Sequence, residues 1–402
     1  MAQTLKYGNG IWANQEGSSL AYNDENGNYK PLPFSFERDS IATRVNKEGL
    51  IEVVGRDVPR IDYTDTSDGV LLLENAATNY SAYSELTSTW TYTEFGSGSA
   101  GTITTGKTDM FGGTNAVQID FPTNADNVAI RFGSASSSLS SGDTSVSVYI
   151  KLVEIGSKDV QLRCNFTGLV NVNSTEFTRV DLSGTKTNSE AFNLKLRPSE
   201  GTSSGGFSII ICHPQEENNS YPTSYIPTSG STVTRATETA NGSGNSEVFN
   251  DSEGVLFADT STKADSTYKR ITINSGSYHN SLVLDFHNSN NLIARIYVSG
   301  SQVAEITVIG LNIENINKIC LKYTQNNLSL WVNGFEVGTT SISAYPTGLN
   351  ELSFDLGSDQ PFYGKTKEIG YYDTILTDEE LEYMTSYRSL NELVTELNLN
   401  TL

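Results

Sequence analysis

Cysteine, histidine and methionine each occur three times in 402 residues, so little soft-ligand or imidazole chemistry is available. Cys164, Cys212 and Cys320 are an odd, sparse set, which excludes a disulfide framework. Each sits in an apolar, strand-like run such as Gly206–Cys212, so they read as buried thiols of a chain made in a reducing compartment. His213, His279 and His287 lie near no G-x-S-x-G elbow and no H-E-x-x-H helix, which leaves hydrolase and zinc chemistry without support. No apolar run approaches the roughly 20 residues that span a bilayer, and Met1–Lys6 lacks the apolar core of a signal peptide. Membrane insertion is not expected. Lys and Arg total 26 against 47 Asp and Glu, a net charge of -21 that repels phosphate backbones, so nucleic acid is not an expected partner. Gly-rich stretches such as Gly96–Gly101 lack the Lys-Ser/Thr pair of a phosphate loop. An acidic surface has the chemistry for Ca²⁺, but no motif supports a site, and no metal or cofactor is expected.

What the chain has in quantity is Gly, Ser, Thr and Asn between short alternating apolar runs. Ala116–Phe121, Ser145–Ile150, Val160–Phe166 and Phe192–Leu196 alternate at period 2, and Phe207–Cys212 is denser. The second half repeats the pattern in Ser281–His287, Leu292–Val298, Ile319–Tyr323 and Leu328–Val332. Asn333-Gly334 then predicts a type I′ hairpin returning through Phe335–Gly338. Thr377-Asp378-Glu379-Glu380 is a capping box, followed by helix-spaced Leu381, Met384, Leu390, Leu393 and Leu397, broken near Ser389.

The expected architecture is all-β. An extended N-terminal arm (1–75) precedes two jelly-roll sandwiches (76–235 and 251–376), joined by a polar linker (236–250). A short helical tail (377–402) follows. Residues 1–75 bury too little alone to fold alone, which favours a docking segment.

Catalysis would need converging acids. Glu351 and Asp355 share a strand face, but Leu352 and Phe354 claim the core side, so the acids are expected to face solvent. Tyr278, His279, Trp331 and Tyr372 are the candidate glycan contacts, because sugar C–H faces stack on aromatic rings. Trp331 could equally fill the core. Tyr371 and Tyr372 fall on opposite faces of one strand, so at most one is exposed.

Three stretches resemble a recurring class of bacteriophage virion proteins. The first runs Ala42–Glu52 through Val58–Tyr63 to Leu71–Glu74, followed by Thr78–Glu85 and Trp90; a Pro usual after the last Glu is missing here. The second, Pro222–Arg235, closes a middle domain that resembles a carbohydrate-binding module. The third, Leu328–Gly334 with Phe362–Ile369 and Leu376–Leu381, is similar to laminin-G and concanavalin-like lectin folds. The resemblance implies a non-enzymatic appendage subunit of a virion, a fibre, decoration or adaptor protein. It would dock to other virion proteins through Arg44, Val45, Asn46, Leu50, Ile51 and Arg60, as a homo-oligomer with a trimer favoured. A receptor-binding lectin for host-surface polysaccharide is the alternative, and a depolymerase a more distant one.

Overall fold

A computed structural model describes residues 5–8, 10, 12, 14–15, 18–19, 22–23, 30–94, 102–121, 128–132, 136–196, 206–265, 267–287, 291–357 and 360–397. The fold is all-β, with two short helices near the C-terminus. It divides into two units, each discontinuous in sequence. One comprises 42–53 and 76–236, the other 1–41, 54–75 and 237–402.

The unit containing 76–236 is a two-sheet sandwich. One sheet orders its strands Thr102–Lys107, Ala116–Phe121, Phe207–Glu217, Gly142–Leu152 and Thr178–Lys186. The other orders Thr91–Glu94, Val128–Arg131, Asn193–Leu196, Lys158–Arg163 and Thr167–Val172. The period-2 residues Val146, Val148 and Ile150 meet Ile119, Leu162 and Ile211 in its core. The strand from Phe207 continues past Pro214 because His213 adopts φ 55° and the register shifts opposite Ser147 and Tyr149. That bulge lets the strand run through Pro214 to Glu217, past the run Phe207–Cys212 read from the sequence.

The other unit packs a ten-stranded sheet on a five-stranded one. The large sheet runs Phe335–Ser341, Asn327–Val332, Asn317–Tyr323, Gly254–Thr262, Gly364–Tyr372. The five-stranded sheet orders Ser301–Ile309, Asn291–Val298, Ser281–His287, Lys269–Asn274 and Glu351–Ser353. Leu256, Leu321, Leu330 and Tyr371 face Ile271, Leu284, Phe286 and Ala294 across a continuous core. Asn333 and Gly334 both have positive φ, 50° and 90°, as the predicted hairpin requires. A Cβ at Gly334 would lie 2.8 Å from Ser386 Oγ. Gly334→Ala is expected to lower stability by about 1–2 kcal/mol in urea titration.

The N-terminal segment is not an arm. Leu5–Gly8 pairs with Ile369, Gly370 and Tyr371 at one end of the strand Gly364–Tyr372, and Val70–Leu73 pairs with Gly364, Lys365 and Thr366 at the other. The two share one sheet edge end to end. The sequence estimate that 1–75 cannot bury itself stands; strands from 364–372 supply the burial. Nor is 236–250 a linker: Thr239–Asn241 pairs with Phe34–Glu37, and Glu238, Ala240, Ser243, Val248 and Phe249 are buried. The polar composition hid these strand-edge contacts.

Glu238 organises the same region. Its carboxylate accepts from Arg38 Nη1 at 2.7 Å and from Arg60 Nε at 2.8 Å, and Arg60 Nη2 also reaches Glu238 and Glu74. The backbone N–H groups of Glu74 and Glu238 donate across the pair, to Glu238 Oε2 and to the Glu74 carbonyl. Arg38 donates further to the carbonyls of Ser40, Val58 and Gly55. The side chains of Arg38, Arg60 and Glu238 are wholly buried. Burial opposes the charge on Arg60, and Glu238 and Glu74 more than restore it.

Helices α1 (Asp378–Thr385) and α2 (Leu390–Glu396) lie on the outside of the large sheet. Thr377 and Glu380 form the predicted capping box on α1. Leu381 packs with Val255, Phe257, Cys320, Trp331 and Tyr372 in a small second core. Helix α2 has no buried residue and is tied by Lys318 to Glu392 and by Lys367 to Glu396. Near these lysines Asp259 is buried, and its Oδ1 has no hydrogen-bond partner among the described residues. Burial pushes its carboxyl up to about 7, against the pull of Lys318 and Lys367.

Candidate functional site

The outward face of the five-stranded sheet carries a cluster of polar and aromatic side chains. Ile271, Leu284, Phe286 and Ala294 point inward, so strand alternation places Arg270, Asp285, His287 and Arg295 on the opposite face. Register brings Arg270 opposite Asp285, His287 opposite Asn291 and Arg295 opposite Glu305. Asp285 is fully buried and accepts from Arg270 Nε and from Arg295 Nη1, while Arg295 Nε donates to Glu305 at 2.9 Å. The Tyr268 and His287 rings stand 4.0 Å apart, inclined by 31°, both half-buried. The guanidinium carbons of Arg270 and Arg295 lie 5.2 and 5.8 Å from the Tyr268 ring centroid.

Burial pushes the Asp285 carboxyl up, against the pull of the two guanidiniums. Arg295 moves the other way from what burial alone would do, because Asp285 raises it. The Arg295 hydrogen bond holds Glu305 below the usual range. Each arginine side chain keeps 12% of its surface exposed. Asp285 thus fixes both guanidiniums while leaving part of each open.

A recess of about 370 Å³ adjoins this face, lined by Ser35, Glu37, Thr239, Asn241, Asp355 and Pro361. Pro361 bridges to Arg270 through the backbone, and Thr272 Oγ1 donates to the Asp355 carbonyl, so the recess and the arginines share the strand Lys269–Asn274. Leu352 and Phe354 are in the core as expected. Asp355 nevertheless is buried, with Asn241 Nδ2 donating to it at 2.6 Å, so it does not face open solvent.

No protein-family model matches this sequence, and no curated protein does. Among solved structures, the chain is similar to the CBM40 of a Ruminococcus gnavus IT-sialidase bound to α2,3-sialyllactose. That match has 17% identity and TM-score 0.31 and covers 36% of this chain and 94% of that one. It is similar to laminin α1 domains LG4-5 of mouse, at 10% identity and TM-score 0.26, over 68% of this chain and 89% of that one. Domain 4 of a Geobacillus stearothermophilus GH43 extracellular arabinanase, in complex with arabinotriose, matches at 11% identity and TM-score 0.27, over 42% and 84%. No likeness at this level assigns a ligand.

The four aromatic candidates read from the sequence do not come together. Tyr278 and His279 form a stacked pair at the turn after Lys269–Asn274, centroids 4.2 Å apart, with Tyr278 46% exposed. Trp331 and Tyr372 belong to the large sheet and are 7% and 6% exposed beneath α1, out of reach of a sugar. Tyr371 is buried too, in the main core, so neither face of that strand displays an aromatic ring. Sequence reasoning missed Tyr268, Arg270, Asp285 and Arg295. The one available signal was His287 at the end of the run Ser281–His287; which strands flank it was not readable.

Five of the six docking residues belong to one hairpin, Ala42–Val45 with Ile51–Val54, and Arg60 to the strand Arg60–Asp62. Arg60 is wholly buried on Glu238, and Ile51 is 3% exposed in a core with Met110 and Tyr225, so neither can meet a partner. Arg44 pairs with Glu52 at 2.6 Å, and Val45 packs against that core. The Asn46 side-chain oxygen accepts from the N–H of Glu48 and Leu50, closing the hairpin turn. Leu50, 37% exposed, is the most accessible of the six.

His213 is only half satisfied. Its Nδ1 lies 2.7 Å from Glu85 Oε1, while Nε2 is buried without a partner among the described residues. Nearby Ser84 Oγ accepts from Tyr225 and from the Thr228 N–H instead. Among the described residues no three of His, Cys, Asp and Glu gather as a metal-ligand set.

Proposed function

We propose that this chain is a non-catalytic carbohydrate-binding protein that engages glycan through the outward face of its five-stranded sheet. The observation that carries the reading is the half-exposed Tyr268–His287 pair set beside two partly open guanidiniums. Sugars offer apolar C–H faces to aromatic rings and hydroxyls to fixed donors, and this face supplies both within one sheet. The exposed Tyr278–His279 pair lies at the other end of the same hairpin, roughly 20 Å along the strands. Two such ends suit a chain of sugars better than one monosaccharide.

The expected result is binding to a subset of bacterial surface polysaccharides on a glycan array, run with and without Ca²⁺. Tyr268→Ala is expected to weaken the best hit at least tenfold, about 1.4 kcal/mol, in calorimetry. An array silent across these polysaccharides would overturn the reading.

We further infer that the chain is displayed on a bacteriophage particle, as a homotrimer. This part is supported by the segments 42–74 and 222–235, which resemble virion proteins. Peptides of this chain in purified particles, and a trimer mass by light scattering, are the expected results; a micromolar monomer would count against the assembly.

A further inference from the structure

Resting on that carbohydrate-binding reading, we propose that the ligand is an acidic sugar, whose carboxylate seats on the terminal Nη1–Nη2 edge of Arg270 with Arg295 Nη2 beside it. Arg270 spends Nε on Asp285, and among the described residues no group accepts from its two Nη nitrogens. Arg295 spends Nη1 on Asp285 and Nε on Glu305, leaving Nη2. The terminal edge of a guanidinium presents two parallel N–H groups at the spacing of carboxylate oxygens.

The negative groups near this edge are already engaged. Asp285 is divided between two guanidiniums, and Glu305 takes Arg295 Nε and the Thr307 hydroxyl. Asp355 accepts from Asn241 and lines the neighbouring recess. Asp285 also holds both arginines in place, so little side-chain freedom is lost on binding. A carboxylate bound to Arg270 would lie beside the Tyr268 ring, against which the sugar's C–H face can rest.

The test is calorimetric titration of the full chain with a uronic-acid oligosaccharide, a sialic-acid oligosaccharide, and the carboxyl-reduced form of each. The expected result is that one of the acidic pair binds, that reduction of its carboxylates weakens it roughly tenfold or more, and that Arg270→Gln does the same. Added salt should weaken the acidic ligand and leave a neutral one unmoved. Circular dichroism checks that Arg270→Gln is folded, and Arg270→Lys, which keeps the charge without the fork, should recover only part of the affinity. If neutral glycans bind through Tyr268 while Arg270→Gln and carboxyl reduction change nothing, this proposal fails and the carbohydrate reading stands. If no acidic or neutral glycan binds, both fail.

Discussion

Glu238→Ala should lower stability by about 3–5 kcal/mol, because it removes the carboxylate that two buried guanidiniums share. Arg38 and Arg60 have fully buried side chains, and Glu74 is a second acid partner of Arg60. A buried charge left without its counter-ion bears the whole desolvation penalty, whereas an exposed pair of the same geometry contributes under about 1 kcal/mol. Glu238→Gln keeps acceptor oxygen but not charge, so an intermediate loss is expected. Urea unfolding followed by fluorescence and far-UV circular dichroism measures both. A loss below about 1 kcal/mol for the alanine variant would mean that the arginines find other acceptors or water.

The second large effect has the opposite sign and depends on pH. Asp259 titrates near 7 in the folded chain against 3.8 in the unfolded one, because burial penalises its charge. The folded state therefore holds a proton that the unfolded chain releases. The stability this proton confers is complete below pH 4, declines between pH 4 and 7, and is absent above. The gap corresponds to as much as about 4 kcal/mol. Asp259→Asn should thus be more stable than the parent at pH 8, by about 2–4 kcal/mol, with the difference closing as pH falls to 4. Thermal denaturation at pH 4, 6 and 8 reads this directly, and equal shifts at all three would refute it. The same titration bears on α2, since ionised Asp259 competes with Glu392 and Glu396 for Lys318 and Lys367.

Much of the architecture was legible because it rests on local signals. Val146, Val148 and Ile150 alternate as a half-buried strand must, and they do line a sandwich core. Asn333-Gly334 specified its turn through backbone conformations few other residues accept, and Thr377 with Glu380 marked the start of α1. What failed were pairings between residues far apart in sequence. Nothing local in Leu5–Gly8 states that its partner is Gly364–Tyr372, more than 350 positions later. Glu238 looked like one acid in a polar stretch, and its meaning comes from Arg38 and Arg60, some 200 and 178 positions away. The outward face was unreadable for the same reason. Arg270, Asp285 and Arg295 look like solvated charges until register sets them side by side. Trp331 and Tyr372 illustrate the reverse: their strands were correctly located, but α1 covers them.

The shared edge along Gly364–Tyr372 has a practical consequence for dissection. A fragment cut at residue 251, where sequence alone would place the start of the terminal domain, discards both Leu5–Gly8 and Val70–Leu73. It would bare one edge of the nine-residue strand Gly364–Tyr372, with the backbone N–H and C=O groups that point from it, beside Leu256, Ile369 and Tyr371, an invitation to intermolecular strand pairing. Recombinant work on this module needs both ends of the polypeptide together, and insoluble truncations would report a missing edge and not a faulty sandwich.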